Sequence, residues 1–464
     1  MELFVGREEE LETLEDEYNS SSPAFVVVYG RRRVGKTTLI NHFCENKKSI
    51  YYLATEESEF ENRKAFKDLV SLALEDELLA SANLDSWIPI FKRIAENSKK
   101  ERIILVIDEF QYLGKSNKAF PSIMQKAWDE ILSKANVMLI LCGSLINMMT
   151  SQVLNYDSPL YGRRTAQIKL KQINFSYYHL FDETLSLDQQ IMQYAVTGGV
   201  PKYIELFSKD KDIYKAIKKN VLSLNSFLYA EPEFLLQKEV SEVGSYFSIL
   251  KTIAAGNYKL SKIATNLEVA QSKLTSYLKV LIDLDIIERE VPITEENPSK
   301  SKMGLYKIKD NFIAFWFKFI YPNRALLESG KGQYVEDKIK KNFIDNHVSY
   351  VYEDICREDA WNLLANGISF NRLGKWWGAK DIEIDILAYD SNGEDIVFGE
   401  CKYSKNKKGM DVLMSLKEKV KNVKWKTQSR KEYYCIYSKS GFTDELIDYA
   451  SRNSNVILKQ LTIT

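Results

Sequence analysis

Gly30, Gly35, Lys36 and Thr37 stand in the run VVVYGRRRVGKTTLI, residues 26–40, at the spacing G-x-x-x-x-G-K-T. Glycines let the backbone wrap closely around phosphates, and free N–H groups at a helix start supply positive potential. An apolar, β-branched run precedes Gly30 and helix formers follow Thr37, which is the strand–loop–helix context a phosphate-binding loop needs. The stretch Gly30, Arg31, Arg32, Arg33, Val34, Gly35, Lys36, Thr37 and Thr38 is therefore expected to cradle a nucleoside triphosphate, taken as ATP. Lys36 would reach the β- and γ-phosphates, and the Thr37 hydroxyl would hold Mg2+. Beside such phosphates the three arginines serve the nucleotide rather than DNA.

A second reactive set closes the run ERIILVIDEFQYL, residues 101–113. An apolar strand ending in Asp108-Glu109 downstream of such a loop has the Walker B arrangement. Asp108 would bind Mg2+ through water, and Glu109 would orient and deprotonate the attacking water. The next apolar run, NVMLILCGS, ends at Ser144, a candidate sensor of the γ-phosphate, with Asn147 as its competitor. Arg163 and Arg164 follow in SPLYGRRTAQIKL. They either aim at the γ-phosphate, in cis or from a neighbouring copy in a homo-oligomer, or form a surface pair on a strand edge.

The third set lies near the C-terminal end. Asp385 sits in DIEIDILAYD, and Glu400 and Lys402 sit in DIVFGECKYS, two strands joined at Ser391-Asn392-Gly393. Glu400 and Lys402, two apart, point to one strand face. The triplet E-x-K alone says nothing, since Glu45-Asn46-Lys47 and Glu336-Asp337-Lys338 match it in helical contexts. Residues 402–431 carry eleven Lys or Arg against two acidic residues. In a chain of zero net charge, that excess is the candidate surface for a nucleic-acid backbone.

The elements that must position these residues are legible as patterns. A chain of 464 residues suits about three or four domains. Its 45% hydrophobic and 28% charged content is that of globular material. Buried-strand runs alternate with helical stretches, including a long polar one over 62–98, as in a parallel α/β sheet. From Val243 three short helices follow, with Ser261 and Ser272 as possible caps, and then two strands over 286–291 and 305–308. DNFIAFWFKFIYPNR reads as a buried helix, and SGKGQ (329–333) as a linker. A long helix then carries Val335, Ile339, Phe343, His347, Val351 and Ile355 on one face and Glu353 at another angle. Helix 409–421, strand 432–438, helix 442–452 and strand 455–461 complete the chain. Five scattered cysteines and three histidines argue against a disulfide framework or zinc site. The start MELFVGREEEL does not read as a signal peptide, and no apolar run reaches membrane-span length, so a cytoplasmic protein is expected.

FVGRE, GRRRVGKT, ILVIDE, LCGS and YGRR together resemble the AAA-like ATPases, specifically the archaeal-type ATPases near the STAND signal-transduction ATPases. The resemblance covers residues 1–235 and implies that Val5, Gly6 and Arg7 border the adenine pocket. It also implies a helical lid carrying the turn Gly198-Gly199-Val200-Pro201, which need not touch nucleotide. The three helices and hairpin resemble a winged helix-turn-helix, implying Gln271, Ser272, Lys273, Thr275 and Ser276 at a DNA groove and Lys300 and Lys302 in the wing, or else only a packing unit. Asp385, Glu400 and Lys402 resemble the PD-(D/E)xK nuclease core, with Ile384 where the motif has proline. That resemblance implies Mg2+ held by Asp385, Glu400 and the helical Glu353, with Lys402 orienting water or neutralising phosphate. The expected fold class is α/β and multidomain: a P-loop ATPase core (1–166), a helical lid (167–235), a winged helix (236–326) and a restriction-endonuclease-like domain (327–464). Two functions fit: an ATP-dependent protein that cuts or processes DNA, or an ATP-dependent switch whose last domain binds without cutting.

Overall fold

Runs such as AFVVVY and IILVID cannot leave either face in water, and they become the centre of a five-stranded parallel sheet. The computed structural model describes residues 4–378 and 382–462, which fall into two units. The first unit comprises residues 1–177, 199–202 and 234–241. Its strands are β1 (Ala24–Tyr29), β2 (Ser49–Leu53), β3 (Ile103–Asp108), β4 (Val137–Gly143) and β5 (Ala166–Lys169). Their order is β2-β3-β4-β1-β5, all pairs parallel. β4 therefore separates the strand before the phosphate loop from the strand ending in Asp108, and the loops leaving all three open side by side at the C-terminal edge. The helix Lys36–Cys44 buries Leu39, Ile40 and Phe43 against Val26, Val28 and Leu14 of the sheet and N-terminal helix. The long polar helical stretch over 62–98 consists of three helices: Glu59–Leu74, Glu77–Ser81 and Ile88–Asn97. Glu75 takes a left-handed φ of 53° and ends the first.

The second unit comprises residues 178–198, 203–233 and 242–464. Helices Val243–Ala254, Leu260–Leu267 and Gln271–Asp283 precede an antiparallel pair, β6 (Ile287–Glu290) and β7 (Leu305–Ile308). Ser261 and Ser272 cap neither helix. Lys259 and Ala270 hold the N-cap positions without a side-chain bond, so each serine sits one residue inside its helix. The aromatic run is core as expected, with Phe312, Phe315, Trp316, Phe317 and Phe319 buried. SGKGQ is a tight turn between helices Arg324–Glu328 and Gly332–Phe343, with Gly330 at a φ of 77°, rather than a boundary between units. Five strands then form a mixed sheet in the order β12-β11-β10-β9-β8. They are β8 (Arg372–Trp377), β9 (Glu383–Tyr389), β10 (Asp395–Lys402), β11 (Lys431–Ser438) and β12 (Val456–Lys459). β8, β9 and β10 pair antiparallel, and β10, β11 and β12 pair parallel. Among the described residues, no helix is long and apolar enough to cross a membrane.

Candidate functional site

Gly30 can be nothing larger, because a Cβ there would lie 2.3 Å from the Leu170 carbonyl oxygen. Arg33 and Gly35 both take left-handed φ values, 70° and 96°, which curl the chain into a cradle ahead of the helix starting at Lys36. Lys36 is buried, and its ammonium donates to the carbonyls of Gly30 and Arg31, each at 2.9 Å. Burial lowers its pKa. Thr37 is exposed and donates to Asp108 Oδ2 at 3.3 Å, and the Tyr51 hydroxyl donates to the same oxygen at 2.5 Å. Burial and the Asp108 carboxylate together raise the Tyr51 pKa, so that phenol stays a donor. The Thr37 hydroxyl on the helix and the Asp108 carboxylate at the end of β3 meet here, and such an oxygen pair suits a hard cation such as Mg2+. Arg32 donates to the Tyr112 hydroxyl at 2.8 Å, while Arg31 is buried.

Glu109 has a φ of 53°, an unusual backbone for a residue with a side chain, and the bend brings its carboxylate back toward β4. There Glu109 Oε2 accepts the Ser144 hydroxyl at 2.8 Å, the Ser144 N–H at 3.4 Å, and the buried Gln111 amide. Ser144 thus holds Glu109 in this arrangement, and Asn147 donates to the Glu239 carbonyl at 3.3 Å. Gln111 and Glu239 escaped the sequence reading. Gln111 stands two residues beyond Glu109, a short-range signal, whereas nothing local marks Glu239.

Arg163 and Arg164 lie at the wrong end of the sheet to reach a nucleotide in cis. Thr165 donates to the Phe25 carbonyl and Ala166 pairs with Val26, which puts both arginines beside the start of β1, whereas the phosphate loop leaves its end. Arg163 also grips Asp129 through two nitrogens at 2.9 and 2.8 Å, and Arg164 lies 5.8 Å over the Tyr161 ring. Arg7 is buried and donates to the carbonyls of Val34, at 2.8 Å, and Lys171, at 2.7 Å, pinning the N-terminal turn to the loop. Gly6 and Arg7 line a polar cleft of about 390 Å3 with Asn174 and Tyr177. Val5 is a core residue and is not in that lining. Gly199 and Pro201 of the Gly-Gly-Val-Pro turn fold with the first unit. Gly199 packs on the Ile173 backbone, and a Cβ on Gly35 would lie 4.0 Å from Pro201 Cγ.

In the second unit, Glu353 on helix Ser349–Asp359 meets Glu383 and Asp385 on β9, with carboxylate oxygens within 4.8 Å of one another. Glu383 precedes Asp385 by two and therefore shares its strand face, a signal the sequence contained. Asp385 is buried and accepts the Cys401 N–H at 2.8 Å. Burial, then Glu353 and Glu400, push its carboxyl up to about 7. Lys375 of β8, also missed, donates to Glu353 at 2.6 Å and Glu383 at 3.3 Å. Burial alone would lower the Lys375 pKa, but Glu353 and its acidic neighbours raise it. Glu400 is not a member of that trio, though its charge acts on Asp385, and it is held by Lys402 at 2.6 Å and Lys419 at 2.8 Å. An all-oxygen donor set fits a divalent cation, with the Lys375 ammonium already supplying positive charge to it.

The basic stretch is divided in its use. Lys402 and Lys419 pair with Glu400, and Arg430 pairs with Glu432 at 2.7 Å, while Lys405, Lys407 and Lys424 are exposed. On helix Gln271–Asp283, Gln271, Ser272, Lys273, Thr275 and Ser276 are exposed around buried Leu274 and Leu278, and Lys300 and Lys302 are exposed as well.

Residues 4–207 match a family described as an ATPase domain predominantly from Archaea. Residues 316–421 match one described as archaea bacterial proteins of unknown function. The uncharacterized protein MJECL04 of Methanocaldococcus jannaschii is 37% identical over 413 residues, 88% of this chain and 89% of its own length. The uncharacterized ATP-binding protein MJ0423 of the same organism is 56% identical over 46 residues, 10% of this chain and 78% of its own. Among solved structures, the Walker-type ATPase paby2304 of Pyrococcus abyssi has a TM-score of 0.52 over 67% of this chain and 95% of its own, at 21% identity, a likeness of fold.

Proposed function

We propose a function from a plain premise: the chain belongs to the family of the M. jannaschii protein MJECL04 and is an archaeal-type ATPase. In this reading Gly30 to Thr38 cradle the triphosphate, Lys36 leaves its two loop carbonyls for the β- and γ-phosphates, and Glu109 takes a proton from the attacking water. Thr37 and Asp108 would hold Mg2+, which when bound neutralises phosphate charge. Gly6 and Arg7 border the base. An arginine finger, if Arg163 or Arg164 supplies one, acts in trans in a homo-oligomer, because both lie away from their own loop.

The output we propose is a nuclease-like centre acting on DNA under control of the ATPase. What supports it is the meeting of Glu353, Glu383 and Asp385 beside Glu400 and Lys402. Carboxylates gathered this closely repel one another unless a cation is present. The carboxylates would hold Mg2+, which when bound lowers the charge of a phosphodiester, while Lys402 positions water or the phosphate. Lys405, Lys407 and Lys424, with the winged-helix surface at Gln271 to Ser276 and at Lys300 and Lys302, would contact the DNA backbone. The working domains are 1–166, 167–235, 236–326 and 327–464, with Glu353, Asp385 and Glu400 in the last.

A second reading has its own observation. Lys375 already serves Glu353 and Glu383, and Lys402 and Lys419 already serve Glu400, so the carboxylates are compensated without metal. The chain would then be an ATP-dependent switch whose last domain binds DNA or a protein without cutting. The two separate on linear and single-stranded DNA with Mg2+ or Mn2+, with and without ATP. Cleavage that disappears in Asp385→Ala and in Lys402→Ala supports the first. DNA left intact under every condition, with binding retained, selects the second. Lys36→Ala should abolish ATP turnover, and normal turnover in that variant sinks the nucleotide-site reading.

A further inference from the structure

Glu239 ends the helix Glu231–Glu239, and residues 234–241 fold with the first unit. Its Oε1 accepts the N–H of Ile146 at 3.2 Å, at the first turn after β4. Its backbone carbonyl accepts the Asn147 amide at 3.3 Å. The preceding Lys238 reaches Glu56, beyond β2, at 3.3 Å. The second oxygen, Oε2, is buried and has no hydrogen-bond partner among the described residues. Arg31 and Arg32 of the phosphate loop act on this carboxylate through their charge. An acceptor left unsatisfied in such a place is costly.

Ile146 stands two residues after Ser144, and Ser144 holds Glu109 through both its hydroxyl and its N–H. Two carboxylates thus hold one three-residue loop, Glu109 at Ser144 and Glu239 at Ile146. We infer that Glu239 is a positioning residue for ATP hydrolysis: its bond to Ile146 fixes the 144–146 loop, and the loop keeps Glu109 tethered to Ser144. A γ-phosphate arriving at Arg31 and Arg32 brings negative charge toward the carboxylate, weakens its hold, and lets Glu109 turn to the attacking water. Burial raises the Glu239 carboxyl to about 7, with the backbone N–H groups of Ile146 and Asn147 and both arginines opposing. The inference rests on the reading of Glu109 as the base.

The test is ATP turnover by the full chain. Glu239→Gln keeps an acceptor for Ile146 but feels no repulsion from the phosphate, so the tether persists and kcat falls about ten-fold, a size that repulsion between close charges readily supplies. KM does not rise with it. Glu239→Ala and the shorter Glu239→Asp cut the tether and raise kcat about three-fold or more. A merely structural glutamate gives the reverse order, with glutamine the milder change. That order, or equal rates in all variants, overturns the inference while leaving the Glu109 reading in place. Glu109→Gln is the separating control. If it hydrolyses ATP at the normal rate, the base reading fails and the inference fails with it.

Discussion

Lys375→Met removes the ammonium that lies between Glu353 and Glu383 and keeps most of the side chain's length. The lysine side chain is 7% exposed and that of Glu353 15%, so the 2.6 Å pair is a buried one. Removing one partner of a buried pair leaves the other charge uncompensated, at about 3–5 kcal/mol. The 3.3 Å contact to Glu383 adds little, because that side chain is 53% exposed and screened by water. For a unit of this size about 2–4 °C accompanies each kcal/mol, so the transition of the second unit should fall by about 6–20 °C. Differential scanning calorimetry of the full chain, followed by the same scans in Mg2+ or Mn2+, makes the measurement. The vacated position lies among three carboxylates, and a cation bound there at about 100 times its Kd restores about 2.7 kcal/mol in the variant. An unchanged transition would refute the claim that Lys375 compensates the carboxylates. A lowered transition that neither cation restores would show that the three carboxylates do not form a cation site.

His347→Gln tests a buried titration. Burial lowers the His347 pKa to about 4 from its ordinary 6.5, and its Nε2 sits 2.6 Å from the Ala195 carbonyl. Below pH 6.5 the unfolded chain takes up a proton that the folded one refuses, so stability declines as pH drops toward 4, by about 3 kcal/mol in all, and is unaffected above 6.5. Urea unfolding across that window should show the slope in the parent and a flatter one in the variant. Gly199→Ala places a Cβ 1.8 Å from the Ile173 carbonyl oxygen and should cost about 1–3 kcal/mol or more, seen as a lower thermal midpoint of the first unit. If Lys405, Lys407 and Lys424 contact a DNA backbone, changing all three to alanine should reduce the slope of log K against log salt by up to about 3. A slope that does not change rules out that surface.

The phosphate loop was readable from the chain because all its parts, Gly30 to Thr38, are contiguous and its flanking strand and helix leave their own periodicities. The buried strands were readable for a related reason. A parallel strand covered on both faces must be apolar at nearly every position, as β1, β3 and β4 are. Asp385, Glu400 and Lys402 belong to one hairpin, where alternation alone predicts the face each occupies, and Glu383 obeys the same rule. Sheet order is different in kind, since no periodicity within a strand says which strand lies beside it. Only the placement of β4 between β1 and β3 brings Ser144 to Glu109, and only the return of residues 234–241 to the first unit brings Glu239 to Ile146. The parallel run of β5 alongside β1 likewise carries Arg163 and Arg164 to the edge opposite the loop they were expected to serve. Residue types and their spacing along the chain establish which groups can do chemistry on phosphates. The tertiary structure decided which of them meet, because those meetings join residues far apart in the chain through packing that leaves no local pattern.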